Sequence, residues 1–290
     1  MKQADFWTKL DDKKVQCQLC PRNCIIADGK RGACNVRENR KGILYSLVYG
    51  RPVTVSVDPI EKKPLYHFHP GTQTLSIATV GCNLRCSFCQ NWEISIATTV
   101  SGQHLSPEQV VGIAKDYGVK SIAYTYTEPT IFFEYAYDIM KIARKEGLLN
   151  VWVSNGYTNP EPAKKAAKYL DAINVDLKGN PKFYKDLCMV PSEEPIHEAL
   201  KIYKQNKVHI EITTLLIPDH NDDDKTLQGI VDWVKINLGT DTPMHFSRFH
   251  PDHKLKNVPS TPIETIKKAM EIAKKRGMKH VYAGNVPNLI

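Results

Sequence analysis

The stretch Gly81-Cys82-Asn83-Leu84-Arg85-Cys86-Ser87-Phe88-Cys89 decides the fold, because its three cysteines have the spacing C-x3-C-x2-C directly after the apolar run Leu75 to Val80. A [4Fe–4S] cluster is normally held by four cysteine thiolates, so a loop that supplies three leaves one iron without a protein ligand. An open position of this kind is typical of a catalytic rather than a structural metal site. The stretch therefore predicts a cluster at Cys82, Cys86 and Cys89 whose open iron can chelate a molecule with an amine and a carboxylate.

Two other interpretations of the same cysteines are weaker. A disulfide would leave one of the three thiols over, and zinc would need a fourth ligand, for which His67 or His69 is available upstream. The loop resembles the radical S-adenosylmethionine (SAM) superfamily in three features: the predicted strand before it, the spacing of its cysteines and the aromatic Phe88. The resemblance implies catalytic roles for the three cysteines, with a [4Fe–4S] cluster and SAM as cofactors.

The bulk composition excludes several classes of protein. The 290 residues, 42% of them hydrophobic, can bury a full core in one large domain, with or without a small appendage. The net charge of +8 is dispersed over predicted helix faces without a block of five like charges, which disfavours nucleic acid as a partner. There is no apolar run of 18 residues and no signal peptide, so we expect a cytoplasmic protein without a membrane partner. Eight cysteines in such a protein favour metal over disulfides.

The order of apolar strands and amphipathic helices predicts the fold class. Strands are predicted at 75–80, 121–126, 150–154, 172–177, 207–214, 243–249 and 280–283, and helices at 106–117, 130–146, 161–169, 181–188, 193–205, 222–237 and 262–276. This alternation is typical of a parallel sheet with right-handed crossovers. About six units predict an α/β fold with a partial (β/α)6 TIM-like barrel. We place a small Cys-rich N-terminal subdomain with short strands at 1–72 and the barrel domain at 73–290.

Two helix starts carry the same signature. Ser106-Pro107-Glu108-Gln109 and Thr261-Pro262-Ile263-Glu264 each predict an N-cap hydroxyl followed by proline at the first helical position.

Polar residues follow the predicted strands in succession. In parallel barrels the site forms at the carboxyl ends of the strands, where these residues fall. The resemblance implies that Thr125, Thr127 and Glu128 bind the methionine amino group of SAM, in place of the family's Gly-Gly-Glu-Pro, whose glycines are absent here. The resemblance also implies that Ser154 and Asn155 bind the ribose hydroxyls of SAM. Three further residues, Asp176, Lys178 and His250, are implied to contact SAM, and the point charge of Lys178 suits the SAM carboxylate.

Two of these residues have an alternative interpretation. Glu128 could serve as an acidic residue at a helix N-terminus, a role compatible with SAM binding. His250, directly before Pro251, could be a turn histidine. Near the substrate, the candidates are Gln90, Asn91, Tyr126 and Arg248.

A closer resemblance covers nearly the whole chain. The segment Asp58 to Gly71 (DPIEKKPLYHFHPG), with Cys89 to Ser95, Tyr126 to Phe132 and Gly284 to Pro287, is similar to the AmmeMemoRadiSam-system radical SAM proteins, relatives of the pyruvate formate-lyase-activating enzymes. The resemblance implies a Memo-family protein as a partner. Many members continue into a tail with another cysteine pair that this sequence does not contain, and we expect any function of that tail to be missing or supplied otherwise.

A second cysteine set, Cys17-x2-Cys20-x3-Cys24-x9-Cys34, lies near the N-terminus. Its spacing suits a closed zinc site with four thiolates, an auxiliary iron–sulfur cluster or two disulfides. A metal would stabilise a subdomain too small to have enough core of its own. Cys188, alone on a predicted helix, is interpreted as core packing.

The leading hypothesis for function is a radical SAM enzyme. Flavodoxin or ferredoxin would reduce the cluster, SAM would cleave to methionine and a 5′-deoxyadenosyl radical, and the radical would abstract hydrogen from a small-molecule or peptide substrate. One alternative is an activase that installs a glycyl radical on a partner enzyme. A distant alternative is a zinc-stabilised RNA-binding module, which would want a clustered basic strip with stacking aromatics in place of the dispersed lysines found here.

Overall fold

The computed structural model describes residues 1–286, so Pro287 of the last signature motif lies outside the described residues. The strands are β1 Lys2–Gln3, β2 Trp7–Lys9, β3 Val15–Cys17, β4 Ile25–Ile26, β5 Arg37–Arg40, β6 Ile43–Ser46, β7 Thr54–Pro59, β8 Gln73–Ala78, β9 Ser121–Tyr124, β10 Leu149–Ser154, β11 Ala172–Asp176, β12 His209–Leu216, β13 Met244–Arg248 and β14 Val281–Gly284. The helices are α1 Trp92–Ser95, α2 Pro107–Asp116, α3 Phe133–Lys145, α4 Pro160–Ala167, α5 Pro181–Cys188, α6 Glu194–Gln205, α7 Asp224–Asn237 and α8 Ile263–Lys275, with 3₁₀ turns at Ile60–Lys62 and Pro129–Phe132.

An eight-stranded sheet forms the centre of the molecule. Its order is β14-β13-β12-β11-β10-β9-β8-β7, in which β8 to β14 run parallel and β7 pairs antiparallel with β8 at one edge. Each of the seven predicted barrel strands is present within a few residues of its predicted bounds. The predicted α/β fold with a partial parallel barrel is therefore confirmed.

Burial explains why these segments form strands and helices. All four residues of β9 are buried, which is why the strand shows no alternation of polar and apolar residues. Helix α3 instead buries one stripe, formed by Ala136, Ile139, Met140 and Ala143, at the three- and four-residue spacing of a helix face. None of the helices within residues 1–286 is both long and apolar enough to cross a membrane.

The first 46 residues form two small antiparallel sheets, of order β1-β6-β5 and β2-β3-β4. Strand β7, which lies within the predicted N-terminal subdomain, pairs with β8 along its whole length. The subdomain boundary at residues 72 and 73 stays a prediction, because strand pairing joins the two sides of it.

The signature segment after β7 fills the inner face of the sheet toward the amino ends of the strands. Ile60 and Leu65 form a buried cluster with Ala123, Val151 and Ala172, which are register partners on three neighbouring strands and therefore point to the same side. Asn174, two residues beyond Ala172, donates from Nδ2 to the Pro64 carbonyl at 2.8 Å. The segment thus closes one end of the barrel and leaves the carboxyl ends of the strands open.

The two predicted helix starts differ in outcome. Ser106 forms the predicted capping box with Gln109 at the start of α2. Thr261 does not cap α8: its hydroxyl accepts from the Phe249 amide at 2.9 Å and donates to the Leu216 carbonyl at 2.6 Å. The prediction for Thr261 was wrong, because a tertiary contact between strand ends takes the hydroxyl that the local pattern assigns to the helix.

Candidate active site

A cavity of about 300 Å³ lies at the carboxyl ends of the parallel strands. Thr213 on β12 and its register partner Asp176 on β11 both face it, as do Leu215 on β12 and its partner Ser247 on β13. The predicted site residues that line it are Cys82, Cys86, Cys89, Thr125, Thr127, Ser154, Asn155, Asp176 and Lys178. The structure therefore brings together predicted site residues from four segments that lie far apart in sequence.

The cysteine loop enters this cavity from the end of β8. The Sγ of Cys82 accepts from the Leu84 amide at 3.4 Å and lies 3.6 Å from the Asn155 Nδ2 donor. Burial is the main cause that raises the pKa of Cys82 and Cys89, so without a metal both side chains are thiols. Metal binding would have to displace these protons, since the thiolate is the ligand.

Cys188, predicted to be core packing, lies against this loop. Its carbonyl accepts from the Arg85 amide at 3.1 Å, and the Leu187 carbonyl accepts from the Ser87 amide at 2.8 Å. A hydrogen bond to the Cys188 thiol is the largest cause that raises the pKa of Cys86, followed by burial. Cys188 is thus buried as predicted, but it also touches a cysteine of the motif, a contact that the sequence gives no signal for.

Lys178 and Asp176, at the end of β11, form an ion pair in the wall of the cavity near the loop. The Lys178 Nζ donates to Asp176 Oδ2 at 2.6 Å and lies 5.8 Å from the centre of the Phe88 ring. Burial disfavours the charged amine, but the carboxylate of Asp176 outweighs it and raises the pKa of Lys178 above its ordinary value. Lys178 is therefore a permanent cation in a nearly closed position, 7% exposed.

Glu128 is fully buried and does not line the cavity. Its Oε1 accepts from the Thr130 amide and the Ser154 hydroxyl, both at 2.9 Å, while Oε2 accepts from the Asn155 amide at 2.8 Å. Burial raises the pKa of Glu128, and these hydrogen bonds counter the rise. The carboxylate thus caps the following 3₁₀ turn and holds the backbone of Ser154 and Asn155.

His250 and Arg248 stand outside the lining residues. The His250 Nδ1 lies 3.1 Å from the Gln90 Nε2, and it is Gln90 that faces the cavity. Arg248 Nε donates to the Thr261 carbonyl at 2.8 Å. The SAM contact predicted for His250 stays a prediction, and in this geometry it would act through Gln90.

Sequence reasoning missed that the signature segment contributes to the wall of the cavity. Lys62 and Lys63 of this segment line the cavity beside Tyr126, which was predicted near the substrate. Asp58 accepts from the Tyr126 hydroxyl at 2.6 Å, from the Lys63 Nζ at 2.9 Å and from the Lys62 Nζ at 2.7 Å. In the sequence, Asp58 to Lys63 indicates only a family resemblance, whereas the fold of the chain after β7 makes these residues part of the site.

Tyr126 also explains the missing glycines of the Gly-Gly-Glu-Pro pattern. Its backbone is left-handed, with φ of +63°, a region that glycine enters freely and that costs a bulky residue of the order of 1–2 kcal/mol. The Asn91 Nδ2 donates to its carbonyl at 2.8 Å, and Asp58 binds its hydroxyl. The turn thus keeps the conformation of a glycine while carrying a phenol into the cavity.

The N-terminal cysteines occupy a second, much smaller cavity of about 20 Å³. Cys17, Cys20, Cys24 and Cys34 all line it, and all four are free thiols. Burial is the main cause that raises the pKa of Cys17, Cys20 and Cys34, the last to about 11. The predicted set is therefore gathered in one place, while its metal or disulfide state stays a prediction.

The donor set at the larger cavity is consistent with the predicted cofactors. Three thiols of one loop face a space with room for a small molecule, and the facing wall offers an ammonium, hydroxyls and amides. Among residues 1–286 no three His, Cys, Asp or Glu side chains are arranged to hold a single metal ion. Fold and donor set together define a class of protein: a partial parallel barrel with a three-thiolate iron–sulfur site at the carboxyl ends of its strands.

Comparison with known families gives the same class independently. The family model of the radical SAM superfamily matches residues 76–228, more than half of the chain, and the chain belongs to this superfamily. The predictions of a [4Fe–4S] cluster and SAM as cofactors are confirmed at the level of the family.

Two curated relatives come from Methanocaldococcus jannaschii. An uncharacterized protein is 48% identical over 289 residues, which cover 99% of this chain and 86% of that protein. Another, provisionally named a glycyl-radical enzyme activating enzyme, is 24% identical over 208 residues, which cover 69% of this chain and 77% of that protein. The AmmeMemoRadiSam branch stays a prediction, since neither name refers to it.

Solved structures share the fold at low sequence identity. A radical SAM methyltransferase from Sphaerobacter thermophilus has a TM-score of 0.59 at 17% identity, over 76% of this chain and 68% of that chain. SuiB of Streptococcus suis bound to S-adenosylmethionine has a TM-score of 0.56 at 15% identity, over 74% of this chain and 52% of that chain. A domain of pyruvate-formate lyase-activating enzyme from Bacteroides vulgatus has a TM-score of 0.50 at 16% identity, over 57% of this chain and 99% of that domain.

Proposed function

We propose that the chain is an enzyme that reductively cleaves SAM and abstracts hydrogen from a small-molecule or peptide substrate. The observation that carries the proposal is the shared cavity: three thiols of one loop face polar side chains from the ends of β9 to β13 across about 300 Å³. When bound there, the cluster and SAM supply a 5′-deoxyadenosyl radical, the species that takes a hydrogen atom from the substrate.

The protein's contribution at the cysteine loop is to set the electron density on sulfur. The Leu84 amide and the Asn155 side chain both point N–H donors at the Cys82 Sγ. Hydrogen bonds to the sulfurs are among the features that set the reduction potential of a cluster. Asn155 is held in this position by a second hydrogen bond, from its Nδ2 to the Asn83 Oδ1 at 2.9 Å.

Lys178 is the side chain best placed to hold the SAM carboxylate. It keeps two of its three N–H donors after pairing with Asp176, and its charge does not depend on pH near neutrality because Asp176 raises its pKa. The Phe88 ring lies 5.8 Å from its Nζ and Leu84 lines the same cavity, and apolar side chains of this kind would keep water out and strengthen such an ion pair.

Ser154 and Asn155 are already engaged within the protein. The Ser154 hydroxyl donates to Glu128 and accepts from the Gly156 amide at 3.0 Å, and the Asn155 Oδ1 accepts from the Tyr157 amide at 2.9 Å. The ribose contacts proposed for them would use the remaining acceptor capacity of Ser154. The Glu128 carboxylate positions both residues and would touch the amino group of SAM only after a change of rotamer.

The wall formed by Lys62, Lys63 and Tyr126 is proposed as the substrate side, together with Gln90 and Asn91. It lines the same cavity as Lys178 and carries one uncompensated positive charge, because Asp58 balances only one of the two lysines. An electron donor of the flavodoxin or ferredoxin kind would supply the reducing equivalent, as is usual for the superfamily. A Memo-family partner is supported only by the signature segment.

The test is anaerobic reconstitution with iron and sulfide followed by incubation with SAM and dithionite. The wild type is expected to bind about four irons at the motif and to form 5′-deoxyadenosine, and Cys86→Ala to lose both. Ser87→Ala is the matched control, because it changes the adjacent side chain of the same loop and leaves all three thiols. A Cys86→Ala variant with wild-type cleavage would refute the assignment.

A second candidate function is activation of a partner enzyme through a glycyl radical. The relative provisionally named a glycyl-radical enzyme activating enzyme favours it. The two functions separate on the origin of the abstracted hydrogen. The enzyme is incubated with fractions from the native host, and deuterium is measured in the 5′-deoxyadenosine formed. Transfer from proteins that contain deuterated glycine is expected only for an activase. Transfer from a deuterated small-molecule or peptide fraction would support the first proposal.

A further inference from the structure

The four N-terminal cysteines meet although three different segments supply them. Cys17 ends β3 and Cys24 precedes β4, and the Cys17 amide donates to the Cys24 carbonyl at 2.9 Å across this hairpin. Cys20 lies in the hairpin turn, and Cys34 comes from the loop before β5. All four side chains line the same cavity.

We propose that Cys17, Cys20, Cys24 and Cys34 bind a single metal ion as four thiolates, with Zn²⁺ as the ion, and that this site fixes the loop that carries the active-site cysteines. Four-cysteine sites of this kind are closed and structural.

The size of the cavity separates a single ion from an iron–sulfur cluster. A space of about 20 Å³ holds roughly one water-sized sphere. A [4Fe–4S] cluster brings eight heavy atoms, and the cavity beside Cys82, Cys86 and Cys89 is about 300 Å³. The small volume at the N-terminal cysteines therefore favours a single ion there, whereas the larger cavity has room for a cluster.

A buried donor without a partner among the described residues belongs to a residue that lines this cavity. Arg37 is 1% exposed and lines the cavity. Its Nη2 donates to Glu134 Oε1 at 2.8 Å, while its Nε finds no acceptor within residues 1–286. A buried donor without a partner costs about 1–3 kcal/mol. A charged thiolate would be a stronger acceptor for this donor than a neutral disulfide sulfur.

The four cysteines line one cavity, but their sulfurs are not in coordination geometry. No three metal-ligating side chains in the described part of the chain have coordination geometry, so the ion must draw the thiols together. Metal binding would therefore order the loop, because the site is not preformed without the ion.

The site lies directly behind the active-site loop. Arg22, between Cys20 and Cys24, donates to the Asn83 carbonyl through Nε and to the Met189 carbonyl through Nη2, the latter at 2.9 Å. Gly81 has φ of +99°, and a Cβ there would lie 2.8 Å from the Cys34 carbonyl oxygen. Disorder in the N-terminal loop would therefore reach Cys82 through its two neighbours.

The experiment measures metal in two backgrounds. The wild type and a Cys82→Ala/Cys86→Ala/Cys89→Ala variant are expected to bind about one zinc each, and Cys20→Ser/Cys34→Ser to lose it in either background. X-ray absorption at the zinc edge of the wild type should show four sulfurs at about 2.3 Å. This readout keeps the proposal testable if a variant fails to fold.

Three results would overturn the proposal. Iron and sulfide in the triple-alanine variant would indicate a second cluster, four fewer free thiols without metal would indicate two disulfides, and zinc retained by Cys20→Ser/Cys34→Ser would place the ion elsewhere. Loss of zinc together with a fall in iron at the Cys82 loop supports the coupling of the two sites. Because zinc is measured without SAM, its absence leaves the proposed enzymatic function untouched.

Discussion

Replacing Glu211 with glutamine should destabilise the protein by about 3 kcal/mol at pH 7. Glu211 is fully buried on β12. It accepts hydrogen bonds from the Tyr66 amide at 3.0 Å, the His67 amide at 2.8 Å, His209 Nε2 at 3.0 Å and His245 Nε2 at 2.7 Å. Burial opposes its charge, but these four donors lower its pKa from 4.5 to about 2. At 1.36 kcal/mol per pKa unit the shift corresponds to about 3.4 kcal/mol.

The sign of the pH dependence follows from the lowered pKa. The stabilisation is complete above the unfolded pKa near 4.5 and is lost as the pH falls through the folded value near 2. The difference between wild type and Glu211→Gln should therefore shrink to about 1.4 kcal/mol at pH 3. A glutamine cannot follow this titration, and its NH2 group would face N–H donors that it cannot satisfy.

The assay is anaerobic thermal unfolding followed by circular dichroism. A loss of about 3 kcal/mol should lower Tm by roughly 6–9 °C in a protein of this size. Glu161→Gln is the matched control, since Glu161 is exposed and only pairs with Lys164 on the same helix, and it should change Tm by less than about 2 °C. Equal shifts in the two variants, or a difference that is the same at pH 7 and pH 3, would refute the reasoning.

The remaining predictions concern three other positions. Gly81→Ala should cost about 2–4 kcal/mol through its positive φ and its contact with Val36, and should reduce iron bound at the loop, as measured by iron analysis. Arg37→Met should lower Tm more than Arg37→Met/Glu134→Gln, because the single change leaves a buried carboxylate unpaired; the reverse order would contradict this. Ser106→Ala should lower the free energy of unfolding by about 0.5–2 kcal/mol, because it removes the N-cap of α2. Chemical denaturation measures this change, and an unchanged free energy of unfolding would contradict the prediction.

The sequence could predict what depends on local pattern. The cysteine spacing identified the loop at Cys82, and apolar runs identified each parallel strand, because both signals are confined to a few neighbouring residues. Tyr126 was predicted near the substrate because it follows β9, whereas Lys62 and Lys63 could not be placed in the site, since their position depends on how the segment after β7 folds against the sheet. The same limit explains Thr261, whose hydroxyl binds two strand ends that the local sequence does not contain.

The contacts of Arg22 bear on how the chain is made. The Cys17 to Cys34 loop is synthesised first. The two residues that Arg22 binds, Asn83 and Met189, follow Arg22 in the chain by 61 and 167 residues. For most of synthesis the four cysteines therefore have no folded barrel to pack against, and they are accessible to oxidants and to competing metals. Loading the first site early would protect the nascent chain, and the second cysteine loop would then meet an already ordered surface when the barrel closes around it.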